Sequence, residues 1–120
     1  MSGDNFTVDL IAPAECAVGA TCVGRIVLHA SAPFHVNDEY PYKFQMDESP
    51  NLESLGAGLV FSKKDGHFKK TSATEAELSV SVKGKAKGEG KIAGQFRMSV
   101  CAEAKCQVES PKLSLAVVVK

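Results

Sequence analysis

The chain has 120 residues, 44% of them apolar, and 14 basic side chains balance 14 acidic ones, so the formal net charge is zero. This length fits one domain with a core of its own, and the apolar share excludes wholesale disorder. The balanced charge argues against a nucleic-acid-binding face, and no apolar run approaches the roughly 18 residues needed to span a bilayer.

Phe6, Val8 and Leu10 alternate with Thr7 and Asp9, which predicts a first strand ended by Pro13. ECAVGATC then reads as a turn with Cys16 and Cys22 at its ends. Alternation resumes from Cys22 to Ala30, with Ile26 and Leu28 on one face and Arg25, Val27 and His29 on the other. Phe34 to Asn37 is a short candidate edge strand. Tyr40, Tyr42, Phe44 and Met46 form the next apolar face; Pro41 has no N–H to donate, so this strand should start late or lie at an edge.

Asp47 to Glu53 is turn-like, and Gly56 to Phe61 is a small apolar segment. Ser62 to Ser72 is polar, with a tight turn at Asp65-Gly66 and one apolar aromatic, Phe68, that needs a surface to pack on. Leu78, Val80 and Val82 mark a strand over Ala76 to Lys83. Lys83, Lys85, Lys87 and Lys91, interleaved with Gly84, Gly88 and Gly90, read as a solvated turn. Ile92 to Val100 and Leu113 to Val119 are the last two strands, and no window has a helical period.

About seven to nine short strands separated by turn residues predict an all-β fold: an immunoglobulin-like antiparallel β-sandwich, one domain over residues 1–120. There is no Trp, and the cysteine spacing is not that of antibody domains, so the architecture is expected without that family.

The four cysteines fall as two close pairs, Cys16/Cys22 and Cys101/Cys106. Such pairing favours an oxidising compartment. MSGDNFTVDL does not read as a signal peptide, so the expected location is an oxidising compartment, reached from a precursor whose signal has been removed, rather than the cytosol. Cys101 and Cys106 lie at the turn between two strands, close enough in sequence to bridge. A loop this short stabilises by only about 2 kcal/mol, and short-loop, exposed pairs are labile more often than those that tie distant segments. Lys105 would favour a Cys106 thiolate and Glu103 would oppose it. A redox pair, a structural bridge and idle thiols all remain open for Cys101/Cys106. Cys16 and Cys22 read first as a structural disulfide, with idle thiols or a second redox pair as alternatives.

The spacings C-x5-C and C-x4-C match zinc knuckles poorly. His35, His67, Met46 and Met98 suggest copper only weakly, because both methionines are in phase with core faces. No metal and no cofactor is expected. The nucleophile-elbow, phosphate-loop and zinc-protease motifs are absent, which argues against hydrolase and nucleotide chemistry.

FHVNDEYPYKFQM, SKKDGHFKKTS, ELSVSV and above all FRMSVCAEAKCQVESPKLSLAVVV resemble the N-terminal periplasmic domain of the DsbD family of thiol–disulfide interchange proteins. The resemblance implies an immunoglobulin-like thiol–disulfide oxidoreductase domain of the periplasm or cell envelope in which Cys101 and Cys106 are the redox pair and Cys106 forms the mixed disulfide. It implies a cap loop near Asp65 to Lys69, with Asp65 as its carboxylate, Phe68 as its aromatic lid and His67 between them. Thioredoxin-like or other periplasmic redox proteins would be the partners of a monomer. The chain departs from the family in a gap between cysteines one residue shorter, and in Gln107-Val108 where an aromatic and a proline follow the second cysteine. The alternative is a non-enzymatic binding or scaffold module with two structural disulfides.

Overall fold

The computed structural model of the chain describes residues 3–103 and 105–120. In chain order its strands are β1 (Phe6–Ile11), β2 (Glu15–Cys16), β3 (Thr21–Ala30), β4 (His35–Val36), β5 (Lys43–Met46) and β6 (Leu52–Ser54). Then come β7 (Val60–Ser62), β8 (Phe68–Lys70), β9 (Glu75–Gly84), β10 (Gly88–Ala102), β11 (Lys105–Glu109) and β12 (Lys112–Val119). They form two sheets. One runs β1-β3-β9-β6, with β8 also on β9; the other runs β2-β12-β10-β5-β7, with β4 and β11 also on β10. This is the expected all-β sandwich.

The alternation read from sequence is the alternation of burial. Ile26, Leu28, Leu78, Val80 and Val82 point inward from the first sheet, opposite Phe44, Met46, Phe96, Met98, Val100 and Val117 of the second and Tyr42 just before β5. Each is at most 1% exposed. Burying a side chain of this size contributes about 1.5–3 kcal/mol, so these two facing rows are the main source of stability. Pro41 delays β5 to Lys43, as its missing N–H requires. Gly94 lets β5 approach β10: a Cβ there would lie 2.1 Å from the Gln45 carbonyl oxygen.

Strands appear where no pattern announced them. Seven segments are four residues or longer; β2, β6, β7 and β8 have only two or three, too few for alternation to register, whereas the equally short β4 lies within the edge strand expected over Phe34 to Asn37. Leu52-Glu53, expected in a turn, begins β6. Phe68–Lys70, expected in a polar loop, pairs with Leu78 to Ala76 as β8.

The largest difference lies after Cys106. The returning strand begins at Lys105, well before Leu113, and β10 with β11 and β12 forms one long hairpin. Gln95 opposes Lys112 and Met98 opposes Glu109 in a continuous register. Pro111 interrupts only the donor pattern: it has no N–H, but its carbonyl accepts the Phe96 N–H at 2.9 Å.

Candidate functional site

The hairpin sets Cys101 directly opposite Cys106, with Cα atoms 4.0 Å apart and the disulfide formed. The strands reverse just beyond at Glu103, whose φ of +46° is in the left-handed region. Position 104 lies outside the described residues. The two sulfurs differ in exposure: Cys101 is 7% exposed, whereas Cys106 is solvent-exposed. Cys101 is out of phase with the core-facing Met98 and Val100, so the bridge does not point into the sandwich interior.

On its other edge β10 meets β4, where Cys101 opposes His35 and Val100 opposes Val36. Val36 is fully buried and His35 exposed, consistent with opposite faces. His35, Cys101 and Cys106 thus form a row across three neighbouring strands.

Behind the row the loop from Asn37 to Tyr42 is tied to β10. The Asn37 amide donates to Ser99 Oγ at 3.2 Å, and the Tyr42 hydroxyl lies 2.6 Å from the Ser99 carbonyl and 2.9 Å from that of Asn37. Burial pushes the Tyr42 phenol well above its usual pKa, outweighing the opposing effect of the hydrogen bond to Asn37. Lys70 Nζ reaches Asp38 Oδ1 at 2.6 Å, and Lys63 Nζ donates to the Asp38 carbonyl. The Lys70 hydrogen bond, aided by the charges of Lys70, Lys63 and His35, holds the exposed Asp38 carboxyl below the ordinary carboxylate range.

Asp65, His67 and Phe68 lie on a self-braced turn. Ser62 Oγ donates to Asp65 Oδ2 at 3.1 Å and accepts the Asp65 N–H at 3.2 Å. His67 Nδ1 accepts the Ser62 N–H at 3.1 Å, and its ring meets Phe61 edge-on. Phe68 has the packing partner it required: its ring stacks on Tyr42, centroids 4.1 Å apart and planes 6° apart. No hydrogen bond or ion pair among the described residues joins Asp65, His67 or Phe68 to Cys101 or Cys106.

Cys16 and Cys22 are bridged, with Cα atoms 6.1 Å apart. Cys16 pairs with Val119 in one sheet and Cys22 with Val82 in the other, so this bridge crosses between sheets, with Cys16 2% exposed. Met46 and Met98 are core residues. Among the described residues, no group of three or more His, Cys, Asp or Glu side chains could hold a metal ion.

Sequence reasoning passed over the Tyr42 hydroxyl and Asn37. The available signal was the phase of Tyr42: a tyrosine in a core row needs an acceptor for its hydroxyl.

The fold defines the class, an immunoglobulin-like β-sandwich carrying two disulfides. No family model and no curated protein matches the chain. Among solved structures, it is similar to a cohesin module from a Clostridium perfringens family 33 glycoside hydrolase, with a TM-score of 0.55 and 8% identity over 96% of each chain. It is also similar to AggA, the major subunit of aggregative adherence fimbriae type I from Escherichia coli, with a TM-score of 0.47 and 10% identity over 99% of this chain and 98% of that one. At such identity the cohesin likeness shows the fold alone.

Proposed function

We propose that the chain is a non-enzymatic binding or scaffold module of an extracytoplasmic compartment, its sandwich stapled by two structural disulfides. The observation that carries this reading is the Cys16–Cys22 bridge, which joins strands of opposite sheets through a buried sulfur. A covalent link there holds the layers in register. Two formed bridges suit an oxidising compartment.

A second reading is favoured by the asymmetry of the other bridge. An exposed Cys106 beside a buried Cys101 suits thiol–disulfide exchange: a partner's thiolate attacks Cys106, a mixed disulfide forms, and Cys101 leaves. The resemblance to the DsbD N-terminal domain supports this reading, with thioredoxin-like or other periplasmic redox proteins as partners and Asp65, His67 and Phe68 as the cap.

One titration separates the two. The protein is equilibrated in glutathione redox buffers, and alkylated cysteines are mapped by mass spectrometry. Structural bridges stay oxidised together in a reducing glutathione pool. Opening of Cys101–Cys106 alone, at a milder potential, would overturn the scaffold reading in favour of exchange.

A further inference from the structure

The row across β4, β10 and β11 points to a further role: we infer that His35 is the proton donor to Cys101 when the Cys101–Cys106 bridge opens. The inference rests on the exchange reading of that pair. Antiparallel partners project to the same side of a sheet with Cβ atoms about 4.5–5.5 Å apart. Cys101 has two such partners, Cys106 on one side and His35 on the other. The register sets His35 beside Cys101 on that face, and the step asks the imidazole to turn onto the sulfur as the bridge opens.

The need for a donor follows from burial. Cys101 is 7% exposed, so a thiolate released there gains little from water. His35 is exposed and renews its proton from solvent, and imidazole is the side chain that changes charge near neutral pH. In the step, the thiolate of a low-molecular-weight thiol such as glutathione, or of a partner protein, attacks Cys106 Sγ. The new S–S bond forms as the old one breaks, the electron pair passes to Cys101 Sγ, and the His35 imidazolium transfers its proton there. A second thiolate then attacks the outer sulfur of the mixed disulfide, and Cys106 Sγ leaves as a thiolate that takes its proton from solvent. Overall two thiols are oxidised to a disulfide and the bridge is reduced to two thiols.

The charges around the row are mixed. Asp38 and Glu39 follow β4, and Asp38 is held by Lys63 and Lys70. Glu103 lies in the turn, Lys105 and Glu109 oppose Ala102 and Met98 and so sit on the other face of the hairpin, and Arg97 is in phase with Cys101 on β10. Arg97 and Asp38 are of opposite sign, and the charge of His35 also acts on Asp38.

The test uses the Cys106→Ala variant, which leaves Cys101 as a lone thiol. Its thiolate is followed by absorbance at 240 nm from pH 4 to 9, alone and combined with His35→Ala or His35→Gln. With His35 present, Cys101 ionises at lower pH, and its thiolate fraction at pH 6 is about ten-fold larger than in either His35 variant, a difference of one pKa unit. Superimposable profiles would overturn the inference. In parallel, reduced glutathione opens the intact bridge about ten-fold more slowly in His35→Ala at pH 6. A bridge that resists glutathione in every variant while the thiolate profile still shifts removes the exchange reading and the donor step, leaving only the His35–Cys101 pairing. A bridge that opens equally well with and without His35 removes the donor role alone.

Discussion

Replacing Tyr42 by Phe removes one oxygen from the interior and leaves the ring, its burial and its stack on Phe68 in place. The hydroxyl has a single proton and two carbonyls within reach, those of Ser99 and Asn37, so one hydrogen bond is lost rather than two. The Ser99 carbonyl also receives the Asn37 N–H at 3.3 Å, so it is not left wholly unsatisfied. The expected loss is therefore about 1 kcal/mol at neutral pH, which for a domain of this size lowers Tm by about 4 °C.

The pH dependence is the sharper readout. Tyr42 has a raised phenol pKa in the folded state. Its proton is bound in both states below the ordinary phenol value near 10; above it, the unfolded chain ionises and the folded one does not. Stability therefore falls as pH rises past about 10, by about 1.4 kcal/mol at pH 11. Tyr42→Phe has no such term, and every other group titrates alike in both proteins. Urea denaturation at pH 7, 9, 10 and 11 should show the variant about 1 kcal/mol less stable at pH 7 and the two curves converging near pH 11. Curves that stay parallel through pH 11 would refute the buried-phenol argument.

Gly94→Ala places a Cβ against the Gln45 carbonyl, at the end of the β10–β5 pairing; a loss of about 3 kcal/mol or more in urea denaturation is expected, since backbone must move. The double change Cys16→Ser, Cys22→Ser removes the inter-sheet bridge; loop closure alone predicts a loss of about 2 kcal/mol, read as a lower Tm than that of the parent with both bridges formed. In NMR titration, Asp38 should protonate below the ordinary carboxylate range and move up toward it in Lys70→Ala; an unmoved midpoint would show that the Lys70 contact does not persist in solution.

The likeness of strand and sequence is closest where a run is long. β1, β3, β9, β10 and β12 each carry several alternating apolar positions, and the buried face of each follows that alternation. Phe68 shows the limit. Its isolation among charged residues required a packing partner, but the partner, Tyr42, comes from a segment outside its own neighbourhood in sequence. The same holds for the disulfides. Short spacing made both pairs plausible, yet it made them look alike. One links opposite sheets through a buried sulfur and the other links neighbours within a hairpin.

The amino-acid sequence by itself determined which residues face inward, where Pro41 delays a strand, and that a two-sheet β-sandwich results, because period-2 patterning is a local property of the chain. Tertiary structure alone decided which strands are neighbours. It placed His35 and Cys106 on either side of Cys101, gave the Tyr42 hydroxyl its acceptors, and made one bridge an inter-sheet link. Alternation records the environment of a side chain but not the element that supplies it; that is decided when distant strands pair through backbone hydrogen bonds that are chemically the same along every strand.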